Sequence, residues 1–169
     1  MRIGFQTTVT VVAALAVGVL GVLGGVTLAK GTKPEYVLVP AGTAKFAPVD
    51  PKNPGGFQMA VLSGDPKTGP VAFLLKLPKG PAPIHWHSSD YYAWTVEGNT
   101  KHWLPGKEAD AKSNPPGTFW FQPGGPTGPH GDECLSDSCT VYIMMPGKFD
   151  FTPVPDAKAP PAKTPPAKK

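Results

Sequence analysis

At 169 residues the chain has room for one domain with its own core and is short for two. Its 20 glycines and 23 prolines cut it into short segments, which favours strands and turns over long helices. The formal charge of +4 sits at the ends, on Arg2 and on Lys158, Lys163, Lys168 and Lys169 against Asp156, while the charges of 30–153 balance. Composition therefore offers no basic patch of the kind a nucleic-acid-binding core needs, and no nucleic-acid partner is expected.

Residues 1–29 read as a signal peptide or membrane anchor. Arg2 gives a positive start, a nearly uncharged Val/Leu/Ala/Gly run fills 7–29, and Thr27-Leu28-Ala29 before Lys30 makes a small-residue cleavage site. The run is also long enough to span a bilayer, so anchoring through 7–29 stands beside cleavage and secretion. Either reading exports the rest of the chain, to the periplasm or beyond. With no cysteine at the cleavage site, a lipoprotein is not expected.

The domain is expected over 30–152. It opens with a polar Pro/Gly-rich entry that holds one apolar run, Tyr36–Val39. Phe57–Leu62 reads as a strand closed by the turn signal Ser63-Gly64-Asp65-Pro66, and Val71–Leu77 as the next strand. Pro78-Lys79-Gly80-Pro81 is expected to turn the chain. Tyr91–Val96 is aromatic and β-branched, as strands prefer, with Glu97-Gly98-Asn99 as its turn. A short strand carrying His102 and Trp103, a polar loop over 105–117, and strands at Thr118–Gln122 and Thr140–Met145 follow, with Lys148–Phe151 as a further short strand. Short strands at such spacing predict an all-β sandwich or barrel. From 153 to 169 the Pro/Ala/Lys-rich sequence predicts a disordered tail.

All four histidines, His85, His87, His102 and His130, fall between positions 85 and 130. On an extended strand residues i and i+2 share a face, so His85 and His87 can aim two imidazoles at one point, as a metal ion requires. His130 follows the turn Pro123–Pro129 and is the third candidate ligand. His102 reads equally as a ligand, a supporting residue or a surface residue. Cys134 and Cys139 flank Leu-Ser-Asp-Ser; in an exported protein they read as a disulfide across a hairpin, stiffening the turn after His130. Thiolate metal binding beside His130 is the competing reading, and export argues against it. Of the aromatic residues near the histidines (Trp86, Tyr92, Trp94, Trp103, Phe119 and Trp120), alternation sends about half inward.

These motifs resemble the cupin superfamily, small jelly-roll β-barrels. Gly80, His85, His87 and Gly98 match the first cupin motif, and Gly117, Pro123-Gly124-Gly125 and His130 the second, with about two extra residues before the last histidine. Gly64-Asp65-Pro66, Ser88-Ser89-Asp90-Tyr91 and Gly147-Lys148-Phe149-Asp150 are similar to bacterial cupins of the ChrR-like kind. The likeness covers about 36–151. Tyr91 stands where the superfamily commonly has a metal-binding glutamate, with Asp90 one position short.

The resemblance implies a single-domain cupin holding one divalent metal (Fe, Zn, Mn, Ni or Cu) at His85, His87 and His130, with water, Asp90 or Tyr91 completing the shell. A neutral three-histidine set leaves the metal charge uncompensated and favours an anionic ligand or hydroxide. The implied partner is a small oxygenated molecule, and a homodimer through sheet edges is a further expectation. An enzyme on this site would be an oxidoreductase of the dioxygenase kind, or a hydrolase or isomerase. A non-catalytic binding or sensing module is the second reading, and a purely structural metal the third.

Overall fold

The computed structural model describes residues 36–155, so the leader expected at 1–29 and most of the expected tail lie outside the described residues. The chain forms strands β1 (Ala47–Pro48), β2 (Gln58–Gly64), β3 (Val71–Pro81), β4 (His85–Trp86), β5 (Tyr91–Glu97), β6 (Thr100–Trp103), β7 (Phe119–Gln122), β8 (Gly131–Met145) and β9 (Thr152–Pro153). Among the described residues the one helical element is a 3-10 turn at Glu108–Asp110, so the all-β expectation holds. Seven strands form an antiparallel sheet in the order β1-β2-β3-β8-β5-β7, with β6 also on β8, and β4 pairs with β9 in a second sheet.

Side-chain alternation builds the interior. Val71, Phe73 and Leu77 of β3, Tyr91, Ala93 and Thr95 of β5, and Cys139, Val141, Ile143 and Met145 of β8 point inward and are buried. On β5 and β7 the intervening Tyr92, Trp94, Val96, Phe119 and Phe121 face outward and are exposed. Of the aromatic residues singled out in the sequence, Trp103 on β6 is buried, while Trp120 on β7 and Trp86 on β4 are half-buried.

Three local expectations are corrected. Pro78–Pro81 does not turn the chain; β3 continues through it. The pairing of β3 with β2 ends at Gln58↔Lys76, so beyond that point only the β8 side of β3 is bonded and proline's missing N–H is tolerated. Cys134 and Cys139 do not flank a hairpin but lie on one strand, β8, whose ladder with β3 slips between Pro78↔Ser138 and Gly80↔Cys134. The extra residues bulge out, and the disulfide ties the base of the bulge, with the two Cα atoms 5.7 Å apart. Lys148–Phe151 forms no strand; it passes beside the histidines before β9 pairs with β4.

The bulge lets β8 change neighbours. Its first part pairs with β6 and its later part with β5, and the β5–β6 turn sits on the bulge between them. Leu135 N–H donates to Asn99 O at 2.8 Å, and Asn99 N–H donates to Ser136 Oγ at 3.0 Å. Gly98 there has φ +76°, and a Cβ on it would lie 2.6 Å from Ser138 O and 2.9 Å from Cys139 Sγ, so both conformation and space demand glycine.

Candidate metal centre

Backbone pairing brings two of the histidines together before any side-chain contact does. His85 N–H donates to His130 O at 3.0 Å and His130 N–H to His85 O at 2.8 Å, a bridge between β4 and the residue preceding β8. His87 follows β4 on the same side as His85, and its carbonyl accepts from Gly125 N–H at 2.7 Å, tying it to the Gly/Pro-rich turn before His130. All three imidazoles are buried, and a ligand nitrogen from each lies within 4.8 Å of the others. The structure thus brings together the three histidines that the spacing singled out.

Each ring is held through its Nδ1. His85 Nδ1 bonds Pro83 O at 2.8 Å, His130 Nδ1 bonds Gly128 O at 3.1 Å, and His87 Nδ1 bonds Asp150 O. A carbonyl can only accept, so the hydrogen-bond network assigns the proton to Nδ1 in all three and leaves each Nε2 with a free lone pair. This is the tautomer and outer hydrogen-bonding pattern of metal-ligating histidine. Segment 149–151 adds packing: the Phe151 ring stacks on His85 with centroids 4.1 Å apart, and Asp150 Oδ1 accepts from Ser88 N–H at 2.7 Å.

A fourth group was not singled out in the sequence. Asp132, mostly buried, has Oδ2 at 3.7 Å from His85 Nε2 and 3.9 Å from His130 Nε2. Its other oxygen, Oδ1, lies 2.8 Å from His102 Nδ1. His102 Nε2 lies 2.9 Å from Gln122 Oε1, while the Gln122 amide nitrogen donates to Gly128 O at 2.9 Å. That fixes the Gln122 oxygen toward His102, so His102 donates from both nitrogens and stands as an imidazolium paired with Asp132. His102 is therefore a supporting residue. The signal that could have found Asp132 is the period-2 rule already used for His85 and His87: His130 and Asp132 are also i and i+2 at a strand start.

Asp90 is corrected: it is exposed, and its Oδ1 accepts from Gly124 N–H at 2.7 Å, so it pins the Gly-rich turn. Tyr91 does reach the site, with its hydroxyl 3.2 Å from His130 Nε2, where it donates to the free lone pair. Burial, with a contribution from the Asp132 charge, pushes the Tyr91 phenol well above its ordinary range, so it is a neutral donor. Cys134 and Cys139 are joined to each other, which removes thiolate metal binding.

Burial also sets the charges of the imidazoles. It lowers His85 and His87 despite the opposing pull of Asp132 on His85 and of the Asp150 carbonyl on His87, and it brings His130 down to about 3. These three are neutral at pH 7, as ligands must be. For His102 burial again acts to lower the value, but Asp132 and Gln122 together outweigh it and the net direction is upward. Asp132 is the mirror case: burial would raise it, and His102, with smaller contributions from His130 and His85, holds it well below the usual carboxylate range.

His85, His87, Tyr91 and Asp132 form the polar side of a cavity of about 320 Å³. Its walls are apolar, built from Phe57, Phe73, Leu75, Ile143, Met145 and Phe149 among others, while Asp50 and Asn53 also contribute to the lining. Trp120 lines it too, and its indole N–H is buried with no hydrogen-bond partner.

No protein-family model and no curated protein matches this chain. Solved structures do. KdgF from Halomonas sp. is 20% identical with a TM-score of 0.51, over 68% of this chain and 96% of that one. The polyketide cyclase RemF from Streptomyces resistomycificus is 18% identical with a TM-score of 0.54, over 73% and 89%. An RmlC-like cupin from Ralstonia eutropha JMP134 is 16% identical with a TM-score of 0.56, over 72% and 74%. At these identities the likeness is one of fold.

Proposed function

From the cupin fold that these comparisons give the chain, we propose an exported cupin that holds one divalent metal ion at His85, His87 and His130 and binds a small oxygen-bearing molecule in the adjoining apolar cavity. The observation that carries this reading is the convergence of three buried Nε2 lone pairs, each fixed by an Nδ1 hydrogen bond to a carbonyl. A divalent metal there would supply Lewis-acid polarisation of an oxygen donor, or activation of water or O₂.

The chain's own residues would do the rest. The apolar walls exclude water and select a ligand with an apolar body, at the small end of the range typical of ligand pockets. Two donors wait for an acceptor: the Tyr91 hydroxyl, released from His130 Nε2 once that lone pair is taken, and the unpartnered Trp120 N–H. An unmet buried donor is costly, so a ligand oxygen placed against them is favoured. The mixed character of the cavity suits an enzyme of the oxidoreductase type, and equally a binding or sensing module.

An exchangeable coordination position separates both from a closed structural site. Adding azide or nitric oxide to the Co(II)- or Fe(II)-loaded protein should change its visible or electron paramagnetic resonance spectrum; an unchanged spectrum would assign the metal a purely structural role. Export rests on the segment 1–29, and it is supported by the Cys134–Cys139 disulfide, a bond favoured by oxidising compartments.

A further inference from the structure

We propose that Asp132 is a fourth ligand, so that the site is three histidines and one carboxylate, the carboxylate being supplied by strand β8. The inference rests on the three-histidine reading above and deepens it. Tyr91 leaves no carboxylate at the position that follows the His-x-His pair, whereas Asp132 reaches the same centre from two residues past His130.

The argument begins with lone pairs. The Nδ1 atoms of His85 and His130 are each bonded to a carbonyl, which turns each Nε2 inward as an acceptor, and Asp132 Oδ2 faces both nitrogens at 3.7 and 3.9 Å. Acceptors turned toward one another repel, and the Tyr91 hydroxyl, which donates to His130 Nε2, leaves the His85 nitrogen and the Asp132 oxygen facing each other. A cation among them converts that repulsion into attraction. The spacing from His85 and His130 also fits: ligand atoms bound at about 2.1 Å in a tetrahedral site lie roughly 3.4 Å apart, so these two separations need only a small contraction, while Asp132 stands outside the 4.8 Å group that the three histidines form and must close on His87 by a larger movement.

The surroundings hold the carboxylate in this pose. Oδ1 is occupied by His102, whose far nitrogen is fixed by Gln122, whose amide is in turn fixed by Gly128 O. Rotating Oδ2 away from the histidines would break this chain of hydrogen bonds. A ligating carboxylate whose second oxygen is hydrogen-bonded is the usual arrangement at protein metal sites. Because His102 donates from both nitrogens, it serves as a positioning residue for Asp132, and Trp120, stacked on it at 5.3 Å, holds its ring plane. With an anionic ligand present, the expectation of an uncompensated metal charge demanding an anionic substrate is relaxed, and a neutral oxygen donor becomes an equally suitable partner.

The test is zinc affinity, measured by competition with a chromophoric chelator, for the wild type, Asp132→Asn and His102→Gln. Loss of a direct ligand should exceed the 10–100-fold typical of an outer hydrogen-bond partner. The inference expects Asp132→Asn to weaken zinc by about 100-fold or more, and by at least about tenfold more than His102→Gln. Losses within tenfold of each other would make Asp132 an outer group and overturn it. Should Asp132→Asn fail to fold, a structure of the zinc-loaded wild type decides: an Asp132 oxygen about 2.0–2.2 Å from zinc supports the inference, and a water in that place sinks it. A wild type that takes up no zinc would instead refute the three-histidine reading, and this inference would fall with it.

Discussion

The metal-free protein should lose stability on mild acidification through His130. Its ring is fully buried and its pKa lies at about 3, against an ordinary value of 6.5. The unfolded chain therefore binds a proton that the folded chain refuses between these two values, and stability falls as pH falls through that window. From pH 7.5 to pH 5 this one group removes about 2 kcal/mol, a large part of the margin of a small domain. His85 and His87 are lowered in the same direction and add to the loss. The measurement is urea unfolding of metal-free wild type and His130→Gln at the two pH values. The wild type should lose about 2 kcal/mol more than the variant, which cannot titrate at this position. Equal losses would show that His130 is protonated in the fold at pH 5 and would refute the buried neutral imidazole. Adding metal should flatten the dependence near pH 7 and steepen it where protons begin to compete for the ligands.

Other consequences can be checked by the same unfolding measurements. Phe73→Ala removes a fully buried ring from the core beside the cavity, at an expected cost of about 3–5 kcal/mol. Gly98→Ala forces a Cβ to within 2.6 Å of Ser138 O at positive φ, and should cost at least about 1–3 kcal/mol; a neutral result would mean that the β5–β6 turn does not rest on the bulge. Replacing both cysteines opens a loop with a sequence separation of 5 and should cost roughly 2 kcal/mol on the chain-entropy account, with zinc affinity changed little because both sulfurs are joined to each other and neither is a ligand.

The fold class and the three histidines were legible because both rest on local rules. Apolar, aromatic and β-branched runs bounded by turn signals marked β2, β3, β5, β7 and the last part of β8, and the period-2 rule placed His85 and His87 on one side. What escaped was non-local. Pro78 and Pro81 read as a turn, since nothing in the sequence says that the pairing of β3 with β2 stops at Lys76 and frees that edge. The cysteines suggested a hairpin because a bulge and a hairpin use the same small polar residues. Asp132 was hidden by its neighbour Glu133 and by the cysteine pattern beyond it, although it follows His130 at the same spacing as His87 follows His85. Its importance depends on His102 and Gln122, which only the pairing of β6 with β8 and of β7 with β5 brings alongside. Segment 149–151 read as a strand because it is aromatic; the His87 ring bonded to the Asp150 carbonyl gives it a different task.

The most direct test of the central claim is metal content by mass spectrometry, on protein purified from the exported fraction, beside a His85→Ala/His130→Ala variant. The three-histidine account expects about one equivalent of a single divalent metal in the wild type and almost none in the variant. If both proteins are metal-free, and both remain so after exposure to Fe, Mn, Zn, Ni and Cu, the account is contradicted, and His85 and His87 form only part of the polar side of an apolar binding cavity.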